Sequence, residues 1–305
     1  MVDFGTLGPI LIEGLLLGGI YALAALGISL IFSVTNVLNL AHGNFIMLGA
    51  VVTFAVYSYA PLHGPLDLVL TLAILLVIFA SMGAAVEVSL IRRILRNSSD
   101  ILISGILVTL GLALVLQDVG GYLLITDPAN VARSTTISLT IPNLSSIAVG
   151  GYVFPASELV SLVVIVASGI ALYIFFKNTY LGIAMRSISL DKEGAMMLGV
   201  NLRQISMTTF ALGLAFAGFA GFILVIDQTA DPNLGLGYTI KLLTVMVLGG
   251  VRSPLGPVIG GLSLGVIEFA VAAFFGAYWV PAVSLVILIS ILLVKPTGLT
   301  GGRIG

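Results

Sequence analysis

The chain has no cysteine and very little charge: only 8% of its 305 residues are Asp, Glu, Lys or Arg. Without cysteine the protein can form neither a disulfide nor a thiolate metal site. Its net charge of -1 gives no electrostatic basis for binding nucleic acid. Apolar residues make up 59% of the chain, and the mean hydropathy of +1.22 is far above that of a soluble domain. The sequence therefore predicts an integral membrane protein.

Uncharged apolar runs of about 20 residues recur along the chain, and each could cross roughly 30 Å of hydrocarbon as a helix. Residues 1 to 305 are accordingly predicted to form a single all-α domain, a polytopic bundle of transmembrane helices. The predicted spans are residues 7–33, 38–60, 66–91, 101–125, 157–176, 205–226 and 279–294.

The stretch 238–275 is ambiguous because the segment "LGGVRSPLGP" would break a helix within it. Basic residues concentrate at cytoplasmic loops. The cluster after Arg92, the cluster from Lys177 to Arg203 and the C-terminal Lys295 all lie on one side if this stretch crosses twice. The sequence thus predicts nine crossings, with the N-terminus outside and the C-terminus inside. Eight helices with a re-entrant segment at 238–261 is the alternative.

Glycine, with 36 residues, is spaced for close helix packing. Small residues recur every fourth position at Gly14, Gly18 and Ala22, and again along 213–221 and 256–265. Such ridges let helices approach closely in lipid. They predict a densely packed bundle.

The segment "NVLNLAHGNFIMLGA", residues 36–50, places polar side chains between two apolar runs. Asn39, His42 and Asn44 could cap and end two helices, since Asn is a good capping residue. Alternatively, the second span begins near residue 38 and turns this polar face toward a translocation path. No metal site is expected, because the other histidine, His63, falls on the opposite side of the membrane in this topology.

Three more polar residues fall inside predicted spans. Gln117 and Asp118 lie in the outer part of the fourth span, and Glu268 lies near the middle of segment 257–275. A charged group there costs several kcal/mol unless it is paired, hydrated or neutralised. We expect no basic partner within the same spans. These residues either line a substrate or proton path or form hydrogen bonds between helices, the two acids in their protonated form.

Two long loops are predicted. The inner loop, 177–204, carries charge of both signs with apolar residues at Met196 and Met197, which suits a short amphipathic helix. It is either a solvated connection or a docking surface for a partner. The outer loop, 126–156, is rich in Ser, Thr, Pro and Asn and has two alternating patches that could pair as a hairpin. Asp127 and Arg133 could contact an extracellular binding protein there.

The chain contains no Gly-Lys dipeptide and therefore no phosphate-binding loop of the form G-x-x-x-x-G-K-[ST]. If ATP drives this protein, a separate polypeptide hydrolyses it, and no cofactor is expected on this chain. The HExxH and paired-aspartate motifs are also missing, which disfavours an intramembrane metalloprotease or aspartyl protease.

Several segments carry a family resemblance. "EGAMMLG", residues 193–199, resembles the EAA-x-x-x-G coupling motif of ABC-importer permeases, with Gly194 at the second position. "NLAHGNFIMLGA", "LGVNLRQISMTTFALGLAFAGFAGFIL" and "VMVLGGVRSPLGPVIGG" resemble, in this order, segments of the permeases of branched-chain amino acid ABC importers. The likeness covers nearly the whole chain, and the "NLAHG" form is similar to the H-type permease.

The resemblance implies a permease subunit in a bacterial or archaeal cytoplasmic (inner) membrane that passes branched-chain or other hydrophobic amino acids. It implies as partners a second related permease, two subunits that hold ATP and Mg²⁺, a periplasmic or extracellular binding protein, and membrane lipid. A permease for urea or short amides and a self-sufficient secondary transporter remain alternatives. The residues expected to couple the chain to the ATPase are Asp191, Lys192, Glu193, Ala195, Gly199 and Arg203.

Overall fold

The computed structural model of the protein describes residues 4–60, 64–126, 136–139, 147–149, 152–154, 156–250, 256–295 and 298–300. Nearly all of these residues are helical. The helices are α1 (Phe4–Thr35), α2 (His42–Ser58), α3 (Pro65–Val86), α4 (Arg92–Asn97), α5 (Ile101–Thr126), α6 (Ala156–Asn178), α7 (Tyr180–Leu190), α8 (Lys192–Met197), α9 (Leu202–Asp227), α10 (Gly235–Gly249), α11 (Gly256–Phe275) and α12 (Val280–Val294).

Seven helical stretches in the described part of the chain are long and apolar enough to cross a membrane. They contain α1, α3, α5, α6, α9, α11 and α12. The apolar helices α2 and α10 are shorter, at 17 and 15 residues. The protein is thus a multi-pass bundle of membrane helices, as predicted.

Helices α1 and α9 form the centre of the bundle and are largely buried, whereas α6 and α12 lie at the periphery. Small residues let α1 and α11 approach closely: a Cβ atom added at Gly18 would lie 2.7 Å from the Cα atom of Leu262. Such backbone-to-backbone contact is typical of helices packed in lipid. The predicted glycine ridge on α1 is therefore confirmed.

The contacts along these helices fix their relative directions. Helix α11 is antiparallel to α1, since Gly14 faces Val266 while Gly18 faces Leu262. Helix α10 is antiparallel to α11, because Gly249 abuts Gly256 while Val245, earlier in α10, lies beside Gly260, later in α11. It follows that α10 runs in the same direction as α1.

Helix α2 runs in the direction opposite to α1 and α10. A short connection joins α2 to α3, and Phe45 near the start of α2 stacks edge-on with Phe79 in the later part of α3, so these two helices are antiparallel. Helix α3 is antiparallel to α9, with Phe79 beside Gly218 and Gly83 beside Phe210. Helix α9 is antiparallel to α1, because Gly27 faces Gly213 and both helices pack on α7 at opposite chain ends. Helices α2 and α10 therefore point in opposite directions.

The ambiguous stretch 238–275 forms two antiparallel helices, α10 and α11, in agreement with the predicted pair. However, the 15 residues of α10 extend only about 22 Å, less than the roughly 30 Å of hydrocarbon. The chain before α10 must supply the rest of that crossing. The orientation of the bundle, with the N-terminus outside, stays a prediction.

Two smaller features complete the described fold, and the second of them was predicted. Helix α3 continues through a π-helical turn, Glu87–Ile91, into α4, and Glu87 forms an ion pair with Arg92 at 2.5 Å. In the outer loop, β1 (Ile147–Val149) and β2 (Tyr152–Phe154) pair as an antiparallel hairpin. The predicted contact residues Asp127 and Arg133, like His63, lie outside the described residues.

Candidate functional site

The polar segment after α1 turns back into the interior of the bundle. Helix α1 ends at Thr35, and Asn36 adopts a left-handed conformation with φ of 56° at the turn. Six residues later α2 begins at His42, whose Nε2 atom lies 3.1 Å from the carbonyl oxygen of Ala24. Ala24 precedes the end of α1 by eleven residues, or about 16 Å of helix. Helix α2 therefore begins deep inside the membrane layer.

Contacts with α5 place the start of α2 at the same depth. The Asn44 Nδ2 atom donates to the carbonyl oxygen of Ala113 at 3.0 Å, halfway along α5. The Thr109 hydroxyl accepts from the backbone N–H of Leu40 and lies within hydrogen-bond distance of the carbonyl oxygen of Leu38, both at 3.1 Å. Non-helical backbone at this depth needs such side-chain partners, because lipid offers none.

Helix α10 begins at the same place. The Thr239 hydroxyl accepts from the backbone N–H of Gly43 at 2.9 Å and lies 3.0 Å from the carbonyl oxygen of Leu40. Gly235, the first residue of α10, packs against the carboxamide of Asn44. Segment 228–234 leads from the end of α9 back to this point. We call residues 38–44 and 233–239 together the half-helix junction.

The half-helix junction brings together the N-termini of two helices that run in opposite directions. The first N–H groups of a helix lack partners within the helix, and the helix dipole places partial positive charge there. Both effects favour an anionic group such as a carboxylate. In transporters, discontinuous helices of this kind commonly form substrate sites near the middle of the membrane.

All three polar residues predicted in segment 36–50 belong to this junction and are buried: Asn39 and His42 are 0% exposed and Asn44 is 2% exposed. Asn39 also shapes the turn, since its Oδ1 atom accepts from the N–H of Ala41 at 3.1 Å. One atom of each, Asn39 Nδ2, His42 Nδ1 and Asn44 Oδ1, has no hydrogen-bond partner among the described residues. Each such buried atom costs about 1–3 kcal/mol, and groups of this kind often mark functional sites.

The two predicted path residues on α5, Gln117 and Asp118, lie on different faces of the helix. Gln117 is half-buried and donates through Nε2 to Asn233 Oδ1 at 3.3 Å, which connects it to the half-helix junction. Asp118 is exposed on another face of α5. The structure therefore brings Gln117, but not Asp118, to the junction.

Glu268 differs from expectation in one respect. Its carboxylate is buried, at 1% exposure, but it has a basic partner: Lys241 Nζ lies 2.9 Å from Glu268 Oε2. The Tyr21 hydroxyl donates to the same oxygen at 2.7 Å, and the Ser284 hydroxyl donates to Oε1. The expectation of no basic partner was wrong, because Lys241 on α10 faces Glu268 on α11. A lone lysine within the apolar segment of α10 was the signal for it.

The inner loop contains two short helices, α7 and α8, where a single one was expected. The Asp191 carboxylate caps the start of α8 by accepting from the N–H of Gly194 at 3.0 Å. Gly199, just after α8, has φ of +86°, a left-handed conformation that turns the chain, and Ala195 is buried. Of the other predicted coupling residues, Glu193 and Arg203 are exposed and Lys192 is half-buried.

Four large apolar side chains project from this loop: Leu190, Met196, Met197 and Leu198, between 43% and 87% exposed. We call them the apolar tip. Beneath it, Ala184, Met185, Ile188 and Ala195 pack on Leu30 and Val34 of α1 and Ile205 of α9. The tip is thus attached to the two central helices of the bundle.

Comparison with known proteins adds the family. The sequence profile described as "branched-chain amino acid transport system / permease component" matches residues 10–294. The chain is 30% identical to a high-affinity branched-chain amino acid transport system permease protein, LivH, of Escherichia coli (strain K12) and 29% identical to the corresponding BraD of Pseudomonas aeruginosa. Each alignment covers 95% of this chain and 94% of the relative.

The fold also has a solved counterpart, PsaBC from Streptococcus pneumoniae in complex with Fab. The TM-score is 0.51 at 13% identity, and the match covers 93% of this chain and 91% of the other. This likeness concerns the fold alone. The profile match over residues 10–294, together with the multi-pass helical bundle, shows that the chain belongs to the family of permease components of branched-chain amino acid transport systems.

Proposed function

We propose that the chain is the transmembrane permease subunit of an ATP-driven importer for branched-chain or other hydrophobic amino acids. Membership of the permease family over residues 10–294 is the observation that carries this proposal. The proposal places the protein in a bacterial or archaeal cytoplasmic (inner) membrane. Its partners are a second related permease, two ATP-binding subunits that hold ATP and Mg²⁺, and a substrate-binding protein outside.

The half-helix junction is the proposed centre of the substrate path. Two helix N-termini converge there with three buried polar atoms that lack partners among the described residues. A zwitterionic amino acid that passes the middle of the membrane needs polar groups to replace its lost hydration. Asn39, His42 and Asn44 supply such groups, with Gln117 at the edge of the junction and Glu268 in the adjoining ion pair. Asp118 stays a proposed path residue on α5, at its exposed side.

The apolar tip is the proposed docking point for the ATPase. Apolar side chains this exposed, together and outside the spans, are typical of a protein interface. The charged residues around them, Asp191, Lys192, Glu193 and Arg203, would set the register of docking. Because α7 and α8 pack on α1 and α9, a displacement of the tip would move the central helices directly.

That displacement has a continuous route to the substrate path. Helix α9 touches α2 through Gly49 and Gly218, where an added Cβ would meet backbone atoms at 2.8 Å. Helix α1 touches the start of α2 through His42 and Ala24. Movement of α1 and α9 would therefore shift the N-terminus of α2 and alter the junction. This is the physical coupling that an importer driven by a separate ATPase requires.

Coupling is tested by purifying the importer with its ATPase. We expect Glu193→Lys with Gly199→Trp, or Met197→Asp with Leu198→Asp, to reduce ATPase association and substrate-stimulated hydrolysis by at least tenfold, or about 1.4 kcal/mol. The control is Ser99→Lys, which adds charge at an exposed turn between α4 and α5. Wild-type association in both double variants would refute docking at this loop.

The path is tested separately by uptake into proteoliposomes. We expect the Asn39→Leu, His42→Leu variant to lose leucine uptake while it still binds the ATPase, because only the junction is altered. Unchanged uptake in a stable variant would exclude these residues from the path. Uptake of urea or acetamide in place of leucine would favour the amide permease, and failure to bind any ATPase would favour a secondary transporter.

A further inference from the structure

A cavity lies between α10 and the start of α12, beside the Lys241–Glu268 ion pair. Its volume is about 380 Å³, within the usual range for small-molecule sites. Its walls are mostly apolar and include Ile240, Val280 and Leu285, while Lys241 and Ser284 are its polar members. We infer that this cavity, here called the Lys241 pocket, binds the carboxylate and the aliphatic side chain of an amino acid during transport.

Lys241 presents a cation to the pocket. Two of its three N–H bonds are used, one to Glu268 Oε2 and one to the Tyr21 hydroxyl, both at 2.9 Å. The third has no acceptor among the described residues. The Lys241 side chain is 20% exposed, whereas that of Glu268 is 1% exposed. Lys241 lines the pocket and Glu268 does not, so a ligand there meets the lysine side chain and not the carboxylate.

The ammonium group is also held rigidly. It lies 5.3 Å from the ring centre of Tyr21 and 5.7 Å from that of Tyr238, close enough for cation–π attraction. The Glu268 carboxylate accepts from Tyr21 and Ser284 as well as Lys241, which fixes the pair between four helices. A pre-positioned cation loses little conformational entropy when a carboxylate binds it.

The combination of one cation with apolar walls selects the ligand. A carboxylate forms a charge-assisted hydrogen bond with Lys241, and an aliphatic side chain fills the space between Ile240, Val280 and Leu285. Leucine, isoleucine and valine have both groups within a few ångströms of each other. This inference rests on the proposed function and adds a named binding site to it.

A membrane lipid fits the pocket less well. Glu268 lies seven residues before the end of α11, about 10 Å inside the helix end. Lipid phosphates lie outside the hydrocarbon layer, so at this depth a lipid offers only acyl chain. An acyl chain has no group to accept the free N–H of Lys241.

The test uses a cysteine placed in the pocket of a chain that has none of its own. Leu285→Cys is introduced into the complete importer in nanodiscs, and its reaction with a membrane-permeant maleimide is followed on this chain. We expect saturating leucine to slow labelling at least about fivefold. Leucinamide, which has the same side chain without a carboxylate, should have no effect. The control is Leu293→Cys, on α12 but outside the pocket, where leucine should change nothing.

The charge requirement is tested in the same background with Lys241→Met and Glu268→Gln together. This variant removes both charges, leaves no unpaired ion, and should lose the protection by leucine. If it does not fold, the comparison of leucine with leucinamide decides alone. Equal protection by both compounds, no protection by leucine, or a cysteine made unreactive by a partner helix would overturn the inference. If leucine fails to protect Leu285→Cys while ATPase association and leucine uptake are intact, the inference fails and the proposed function stands.

Discussion

Replacing Thr239 with Val tests whether one hydroxyl holds the half-helix junction together. The two side chains are isosteric and both β-branched, so the packing and helix propensity of α10 change little. The substitution removes the acceptor for the N–H of Gly43 and the contact with the carbonyl oxygen of Leu40. An orphaned buried N–H costs about 1–3 kcal/mol and a lost hydrogen bond about 1 kcal/mol, so we expect destabilisation of about 2–4 kcal/mol.

Thr244→Val is the matched control for this variant. Thr244 lies on the same helix and both threonines are at most 1% exposed. Among the described residues, however, the Thr244 hydroxyl bonds only the carbonyl oxygen of Ile240, within α10 itself. We expect it to cost about 1 kcal/mol or less, since no backbone donor loses its partner. Thermal unfolding in detergent measures both, and leucine uptake in proteoliposomes should fall for Thr239→Val alone. Indistinguishable unfolding midpoints for the two variants would refute the role assigned to Thr239.

Three further predictions concern stability and docking. Lys241→Met alone should lower the free energy of unfolding by about 3–5 kcal/mol, because it leaves the buried charge of Glu268 unpaired, and adding Glu268→Gln should recover most of this loss. Equal unfolding midpoints for the single and double variants would contradict this. Gly18→Ala should lower the free energy of unfolding by about 1–3 kcal/mol, because the added Cβ atom forces α1 away from α11. Gly111→Ala should not destabilise the protein, because a Cβ atom there has no neighbour within 4 Å among the described residues. Gly199→Ala, at φ of +86°, should cost about 1 kcal/mol and weaken ATPase association, measured by unfolding and co-purification.

Features that depend on local composition were predictable from the sequence. The apolar runs located the long helices, and the break at 248–257 separated α10 from α11. The small-residue spacing around Gly18 identified the face on which α11 packs. Glu87 and Arg92 are five residues apart on one helical stretch, so their ion pair follows from local geometry.

Features that depend on tertiary register were not predictable in the same way. Lys241 and Glu268 lie on different helices, and only the antiparallel packing of α10 on α11 makes them neighbours. The start of α10 is fixed by Thr239 and Leu40, which are 199 residues apart. The depth of Asn44 depends likewise on its bond to Ala113 of α5. The sequence could not decide whether the polar residues of segment 36–50 cap helices or line a path. Asn39 is consistent with both, since its side chain forms the turn and also has an atom without a partner among the described residues.

The opposed directions of α2 and α10 have a consequence for ion leakage. Both helices direct their positive ends to one point in the middle of the membrane, so the partial charges there add instead of cancelling. A proton or sodium ion that entered the path would meet this positive potential where its hydration is weakest. An amino acid can present its carboxylate to the same point. We therefore expect a permease of this construction to pass its substrate without discharging the proton and sodium gradients of the cell.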